Sequence, residues 1–261
     1  VSDQPASRIL IGSSSFGASN DAPLRKISAA GFEAILNPFG RKLTRDEITG
    51  MLTADVIGLI AGLEALDRGV LEQSSLKVLS RVGVGMSNVD VAAARDLGIA
   101  VCSTPDAPTT AVAELAVGAL LSLLRMIPAM NRSLHDGQWD KRVGVQLEGK
   151  TVAIVGFGRI GRRLAELLEP FHVRLLVVDP FIQETQIDGH DVLPLLESLA
   201  QADIVSVHAS GESCILDDAA FSVLPRGCYI MNASRGGVVD EAALIRAISD
   251  GKVAGAWIDT F

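Results

Sequence analysis

Short runs rich in β-branched residues recur along this chain of 261 residues, and segments with helical periodicity separate them. This alternation predicts parallel sheets, because a connection between parallel strands needs a crossover that is usually a helix. Most runs contain few polar residues, as expected for strands that helices cover on both faces. The predicted strands are Arg8–Ile11, Glu33–Leu36, Val56–Ile60, Lys77–Arg81 and Ala100–Cys102, then Val152–Phe157, Arg174–Val178, Ile204–Val207, Tyr229–Asn232 and Gly255–Ile258.

The composition restricts the partners of the chain. Hydrophobic residues make up 48% of the sequence, so the chain can bury a large core. Lys and Arg number 23 against 31 Asp and Glu, which argues against nucleic acids and anionic membranes as main partners. The chain has three cysteines and no CxxC pair, which favours free thiols and no metal site. Residues 1–7 are polar, unlike a signal peptide, so we predict a cytoplasmic protein.

A turn-rich segment, STPDAPTT, separates the two series of strands. We therefore predict two doubly wound α/β domains, at residues 1–103 and 104–261. The helix predicted next, at Ala111–Ile127, is apolar on almost every side, so we expect it to be buried between domains or subunits. Two charged residues interrupt this stretch, which argues against a membrane span. Elsewhere Thr44 and Glu47 have the spacing of a helix capping box.

A glycine-rich turn opens the second series. Residues 156–161, GFGRIG, fit the pattern GxGxxG between an apolar strand and a helix. In this context Gly156 permits a tight turn, Gly158 lets the backbone approach a pyrophosphate, and Gly161 lets the helix pack closely. The N-terminus of the helix would bind the phosphates. The alternative is a strand–helix turn with incidental glycines.

The next strand ends at Asp179, 18 residues after Gly161. An acidic residue at this distance accepts hydrogen bonds from the adenosine ribose and repels a 2′-phosphate, so we predict NAD as the cofactor. The alternative is a strand-end Asp that begins the turn at Pro180.

An arginine follows the strand that ends at Asn232, within the sequence NASRGGVVDE. Arg235 would lie at the carboxyl edge of the sheet, where its planar donor fork can bind a carboxylate. The alternative is an ion pair with Asp240 or Glu241 at the start of the following helix.

These motifs together resemble the D-isomer-specific 2-hydroxyacid dehydrogenases, in particular the phosphoglycerate-dehydrogenase-like members. The resemblance implies a flavodoxin-like substrate domain followed by a Rossmann NAD-binding domain, with the active site between them. It also implies a homodimer formed through the helix around Ala111–Ile127. The matching segments are LKVLSRVGVGMSNVD (76–90), GIAVCSTP (98–105), TTAVAELAVGALLSLLR (109–125), GKTVAIVGFGRIGRR (149–163), VVDP (177–180), ADIVSVH (202–208), NASRGGVVDEAAL (232–244) and GAWIDTF (255–261).

The resemblance also implies residue roles. Arg235 would be the catalytic arginine that binds the substrate carboxylate and polarises the 2-oxo group. The loop carrying Val84 and Gly85 would bind the same carboxylate through its N–H groups, and Asp259 would bind the nicotinamide carboxamide. The implied cofactor-binding residues are Gly156, Gly158, Arg159, Ile160, Gly161, Asp179, Ala233, Arg235 and Asp259.

In the family an acid–base histidine, and the glutamate that orients it, lie beyond the motif of Asp259, whereas this sequence stops at Phe261. We expect both of them, a sixth strand and a returning helix in a longer polypeptide; a chain ending here would bind NAD with little turnover. His208 lies at a strand end, but it matches a structural position in the family, so we do not expect it to replace the missing base. The other three histidines lie in helices or loops.

The sequence departs from the family pattern where the substrate is selected. Ser87 and Pro108 stand where Asp and Asn are frequent, and residues 60–63 lack the arginine that phosphoglycerate dehydrogenases tend to place there. Arg81 could meet a phosphate or form a structural salt bridge. The predicted activity is hydride transfer between NAD and a D-2-hydroxy acid, either 3-phosphoglycerate-like or small and unphosphorylated. The alternative is an NAD-binding regulatory or partner-recruiting protein without turnover.

Overall fold

The computed structural model describes residues 7–211 and 213–260. Its internal contacts divide the chain into two compact units, Val1–Pro108 and Thr109–Phe261. The division falls within the segment STPDAPTT, a few residues after the boundary predicted at residue 103. Each unit is a parallel sheet flanked by helices, and each encloses its own buried apolar residues.

The first unit contains a five-stranded parallel sheet with the order β2-β1-β3-β4-β5. This is the flavodoxin-like order, in which the direction of winding reverses between β1 and β3. Its five strands lie within a residue of the predicted positions. The elements are β1 (Arg8–Ile11), α1 (Ala22–Ala29), β2 (Glu33–Leu36), α2 (Arg45–Met51), β3 (Val56–Ala61), α3 (Arg68–Glu72), β4 (Val78–Arg81), α4 (Val91–Asp96) and β5 (Ala100–Ser103).

The N-terminus of α2 confirms the predicted capping box. The Thr44 hydroxyl accepts a hydrogen bond from the Glu47 N–H at 3.3 Å, and the Glu47 carboxylate accepts one from the Thr44 N–H at 2.8 Å. Two N–H groups that the helix leaves without partners are thus satisfied. This cap fixes where α2 begins and hence the length of the connection from β2.

The second unit contains a seven-stranded sheet with the order β12-β11-β10-β6-β7-β9-β8. Without the edge strand β8, this is the Rossmann order, which reverses between β6 and β10. Its elements are α5 (Thr109–Leu124), α6 (Ile127–His135), β6 (Thr151–Val155), α7 (Arg159–Leu168), β7 (Arg174–Val178), β8 (Gln186–Ile187), β9 (His190–Val192), α8 (Leu195–Leu199), β10 (Ile204–Val207), α9 (Asp218–Val223), β11 (Cys228–Asn232), α10 (Glu241–Ser249) and β12 (Val253–Ile258).

The structure corrects the predicted strands of this unit at two places. The strand predicted to reach Phe157 ends at Val155, because Gly156 already turns the chain towards α7. The sequence analysis missed β8 and β9, a short antiparallel hairpin whose strand β9 also pairs in parallel with β7. Asp188 and Gly189 form its turn with positive φ, and Arg162 of α7 contacts Asp188 at 2.5 Å.

The helix predicted at Ala111–Ile127 is interrupted. It ends at Leu124, the backbone takes a left-handed conformation at Met126 (φ 54°), and α6 begins at Ile127. One face of α5 packs into the core of its unit, and the opposite face leaves Leu115 48% exposed. No single helix in the described part of the chain is long and apolar enough to cross a membrane, although α5 and α6, bent by 64°, together reach that length and composition.

Candidate functional site

The predicted site residues of the second unit follow β6, β7, β11 and β12, four of five neighbouring parallel strands. Backbone hydrogen bonds tie the segments after these strands together: the Gly156 N–H donates to Val178 O at 2.8 Å, and the Ala233 N–H donates to Val207 O at 3.1 Å. The Asp259 N–H donates to Asn232 O at 2.9 Å. The segments after β6, β7, β10, β11 and β12 therefore share one edge of the sheet, the edge where α/β domains bind ligands.

The turn after β6 accepts only glycine at two positions. Gly156 has a φ of 93°, and a Cβ atom there would lie 2.5 Å from the Ala209 nitrogen. A Cβ at Gly161 would overlap the carbonyl oxygen of Gly156. These contacts agree with the tight turn and the close helix packing expected of the first and third glycines.

The start of α7 fits a pyrophosphate. Gly158 is the N-cap residue, and no side chain caps the helix. A Cβ at Gly158 would meet no protein atom within 4 Å, so the backbone is open to a ligand on this side. Arg159 and Ile160 form the first turn, where the backbone N–H groups and the helix dipole favour an anion. These residues fit the phosphates of a dinucleotide.

Asp179 connects the glycine-rich turn to the end of β7. Its Oδ2 accepts a hydrogen bond from the Phe157 N–H at 2.8 Å, and its Oδ1 accepts one from the Phe181 N–H at 3.0 Å. Each carboxylate oxygen keeps a lone pair that could accept from a ribose hydroxyl. The turn role and the cofactor role considered for Asp179 are therefore compatible.

Asn232 determines the shape of the loop that carries Arg235. The Asn232 side chain is buried, and its Oδ1 accepts hydrogen bonds from the Ser234 N–H (3.0 Å) and hydroxyl (2.7 Å). Its Nδ2 donates to the Arg235 carbonyl at 2.8 Å. The sequence analysis did not assign this role, although an Asn two residues before a Ser at a strand end is a known local hydrogen-bonding pattern.

The guanidinium of Arg235 is exposed and donates to the Ser234 carbonyl at 2.8 Å. The Asp240 carboxylate instead accepts from the Ala243 N–H and caps α10. Within residues 213–260, no ion pair joins Arg235 to Asp240 or Glu241. The structure therefore gives no support to the ion-pair interpretation.

The first unit carries the other predicted loop, directly after β4. The Val82 N–H donates to Ala61 O at 2.9 Å, and the Gly83 N–H donates to the Thr104 hydroxyl at 2.9 Å. The next two N–H groups, of Val84 and Gly85, donate no hydrogen bond to any described residue. Two consecutive free N–H groups in a loop can bind an anion such as a carboxylate.

His208 lies at the end of β10 with its ring largely buried. Its Nε2 is 2.7 Å from the hydroxyl of Ser206, and its Nδ1 has no partner among the described residues. Burial lowers the pKa of His208 to about 4, so the ring is neutral at physiological pH. A group with this pKa is a weak base, which agrees with the expectation that His208 is not the acid–base residue.

Comparisons with known proteins match the whole length of the chain. The family model of the D-isomer specific 2-hydroxyacid dehydrogenase, NAD binding domain, matches residues 117–261. D-3-phosphoglycerate dehydrogenases of Rattus norvegicus and Sus scrofa are 38% identical over 193 residues and 35% identical over 230 residues, which are 71% and 85% of this chain. The chain spans only 36% and 43% of their lengths. A glyoxylate reductase structure from Paecilomyes thermophila has a TM-score of 0.84 at 26% identity, covering 99% of this chain and 82% of that one.

Replacing Asn232 with Ala should destabilise the second unit, because the buried Ser234 N–H and hydroxyl lose their acceptor. We expect the free energy of unfolding to fall by about 1–3 kcal/mol in urea titrations. Asn131→Ala, at an exposed position of α6, is the matched control and should change it by less than about 0.5 kcal/mol. Equal effects of the two substitutions would contradict the role of Asn232.

His208 should make the protein less stable in mild acid. His208 takes up a proton near pH 6.5 in the unfolded chain but only near pH 4 in the folded protein. The contribution of His208 to the free energy of unfolding is therefore complete above pH 6.5 and decreases as the pH drops towards 4. A shift from 6.5 to about 4 in the pKa of His208 corresponds to a loss of about 3 kcal/mol. We expect His208→Gln to remove this part of the pH dependence of urea unfolding, and His135→Gln, on exposed α6, to retain it.

Proposed function

Because this chain belongs to the family of D-isomer-specific 2-hydroxyacid dehydrogenases, we propose that the protein transfers a hydride between a D-2-hydroxy acid and NAD. The substrate is 3-phosphoglycerate-like or a small 2-hydroxy or 2-oxo acid. Relatives named D-3-phosphoglycerate dehydrogenase and glyoxylate reductase represent these two classes. Bound NAD would accept the hydride from the alcohol carbon, or NADH would return it to the 2-oxo acid.

The observation that carries this proposal is the exposed guanidinium of Arg235 on a loop that the buried side chain of Asn232 fixes. During reduction, negative charge develops on the oxygen of the 2-oxo group. A positioned guanidinium stabilises this charge, and its fork of N–H donors can also bind the carboxylate. The free N–H groups of Val84 and Gly85, in the first unit, would also bind a carboxylate.

The residues of the glycine-rich turn would bind NAD. Gly156 and Gly161 shape the turn, and the N–H groups at Gly158, Arg159 and Ile160 would bind the pyrophosphate. Asp179 would accept hydrogen bonds from the adenosine ribose and repel the 2′-phosphate of NADP. Ala233 and Asp259, after β11 and β12, would contact the nicotinamide end. We assign no general acid among the described residues.

We further propose that the protein is a cytoplasmic homodimer that pairs through the region of Ala111–Ile127, which is mainly α5. A cavity of about 670 Å³ lies beside α5, and its lining includes Leu115, Gly118, Leu123, Pro128 and Trp257. A Cβ at Gly118 would meet no atom within 4 Å, so the groove is open at its centre. An apolar groove beside an exposed leucine is suited to a second copy of the same helix.

Arg235→Ala should lower kcat/KM for the reduction of 2-oxo acids by about 100- to 1000-fold, because the developing oxyanion loses its stabilising charge. The measurement is NADH oxidation by full-length protein with glyoxylate, hydroxypyruvate and 3-phosphohydroxypyruvate. Arg235→Lys should lie between wild type and Ala, since it keeps the charge without the fork. Arg25→Ala, a surface pair with Asp21, is the control.

Unchanged kcat/KM in Arg235→Ala would contradict the assigned role. NADH binding by calorimetry without turnover of any acid by the wild type would instead favour the regulatory alternative.

Gly118→Trp should convert a dimer into a monomer by filling the groove beside α5. Because Gly118 has free space around it, the substitution should leave the fold intact, and Gly118→Ala should keep the dimer and stabilise the helix by about 0.5–1 kcal/mol. Light scattering gives the mass, and circular dichroism checks the fold. A monomeric wild type at micromolar concentration would contradict the proposed dimer.

A further inference from the structure

A carboxyl group lies fully buried at the edge of the first sheet where the strand order reverses. Glu64, in the loop after β3, has a relative exposure of 0%. Crevices at such reversal points, outside the carboxyl ends of the strands, are where open α/β sheets bind ligands. Glu64 therefore occupies the ligand-binding position of this fold, although the sequence analysis assigned it no role.

Two glycines make room for this carboxylate. A Cβ at Gly12, after β1, would overlap Glu64 Oε1, and a Cβ at Gly62, after β3, would lie 2.8 Å from Oε2. Oε1 accepts a hydrogen bond from the Gly62 N–H at 2.8 Å. Asn88 holds the same loop, because its Nδ2 donates to the carbonyls of Gly62 (3.2 Å) and Glu64 (2.7 Å). The carboxylate is thus fixed between the ends of β1 and β3.

The second carboxylate oxygen has no partner. Glu64 Oε2 is buried and makes no hydrogen bond to any residue in the described part of the chain. A buried carboxylate with an unpaired oxygen is costly, because it loses hydration without full compensation. A negative charge on this carboxylate would act strongly on its surroundings, since the low dielectric of the interior screens charges weakly.

This carboxylate is next to the loop that would bind the substrate carboxylate. Ala61 and Arg81 are paired in register at the ends of β3 and β4, so Gly62 and Val82 begin neighbouring loops. Neighbouring strands are about 4.8 Å apart. A three-carbon acid bound at the N–H groups of Val84 and Gly85 would therefore be close to the end of β3.

We propose that Glu64 is a specificity-determining residue that excludes a second anionic group from the substrate. The substrates are then monoanionic 2-hydroxy acids whose remaining substituent is uncharged, and phosphorylated acids are rejected. This inference rests on the proposed function and selects one of its two substrate classes. Repulsion acts through space, so Glu64 needs no direct contact with the substrate.

The nearby arginine does not reverse this expectation. Arg81 is 8% exposed, and it donates to the Val82 carbonyl and, at 3.4 Å, to Asn88 Oδ1. Its guanidinium therefore lies under the loop at the end of β4, while the carboxylate lies at the ends of β3 and β1. Removing the charge of Glu64 makes the local electrostatic potential more positive, however much of that negative charge Arg81 offsets.

The test compares D-glycerate with 3-phosphoglycerate, two acids that differ only in the phosphate. NADH formation by full-length wild-type protein should give a kcat/KM at least about 10-fold higher for D-glycerate. Glu64→Gln keeps an oxygen that can accept from the Gly62 N–H but removes the charge, so it should reduce this preference about 10-fold. Glu72→Gln on α3, 51% exposed, removes a surface charge of the same unit and should leave the preference unchanged.

A wild-type preference for 3-phosphoglycerate would overturn the inference, as would an unchanged preference in a folded Glu64→Gln protein. If circular dichroism shows that Glu64→Gln does not fold, Glu64→Asp is the second variant, because it keeps the charge. Glu64→Asp should retain the preference for D-glycerate, and loss of that preference would count against the inference. If the wild type oxidises neither acid and also reduces none of glyoxylate, hydroxypyruvate and 3-phosphohydroxypyruvate, the proposed function fails. In that case, calorimetric titration of each acid into the protein with NAD tests the charge selectivity of binding independently of turnover.

Discussion

The close approach of the Gly156 turn to the end of β10 positions the rest of the site in the second unit. The backbone there passes so near Ala209 that a single added carbon atom would not fit. Because the turn is this tight, α7 starts directly over the sheet, and the Phe157 N–H reaches the carboxylate of Asp179. A bulkier residue would displace both the helix N-terminus and the carboxylate of Asp179, so one steric constraint controls two parts of the expected cofactor site.

The edges of the two sheets offer different chemistry. The second unit presents an uncapped helix N-terminus and the guanidinium of Arg235, which suit the negative charges of a dinucleotide and a substrate carboxylate. The first unit presents two free N–H groups, and beside them the buried carboxylate of Glu64. Neutral N–H donors next to a negative charge would bind one anionic group and disfavour a second one. A lysine or arginine in the place of Glu64 would not give this selectivity.

Strand positions and the cofactor motif could be predicted from the sequence because local signals determine them. An apolar run of β-branched residues, a GxGxxG turn and a capping box each encode their structure within about ten residues. Strand β9 was missed because its three residues, HDV, include two polar ones and depend on pairing with β7. The break at Met126 was missed because the apolar pattern continues through it. The hydrogen bonds of Asn232 are local, and its spacing to Ser234 could have indicated them. The role of Glu64 depends on tertiary contacts, and no spacing rule reveals that a polar side chain is buried.

The buried apolar residues form separate clusters within each unit. One cluster lies in the first unit, around Leu10, Leu59 and Leu79, and two clusters cover the two faces of the second sheet. Since each unit buries its own core, each has the properties of an independent cooperative folding unit. Heat should then melt the chain in two transitions rather than one, and a single midpoint would not describe its stability. Bound dinucleotide would raise the melting temperature of the second unit only. Calorimetric scans would therefore show which unit binds the cofactor.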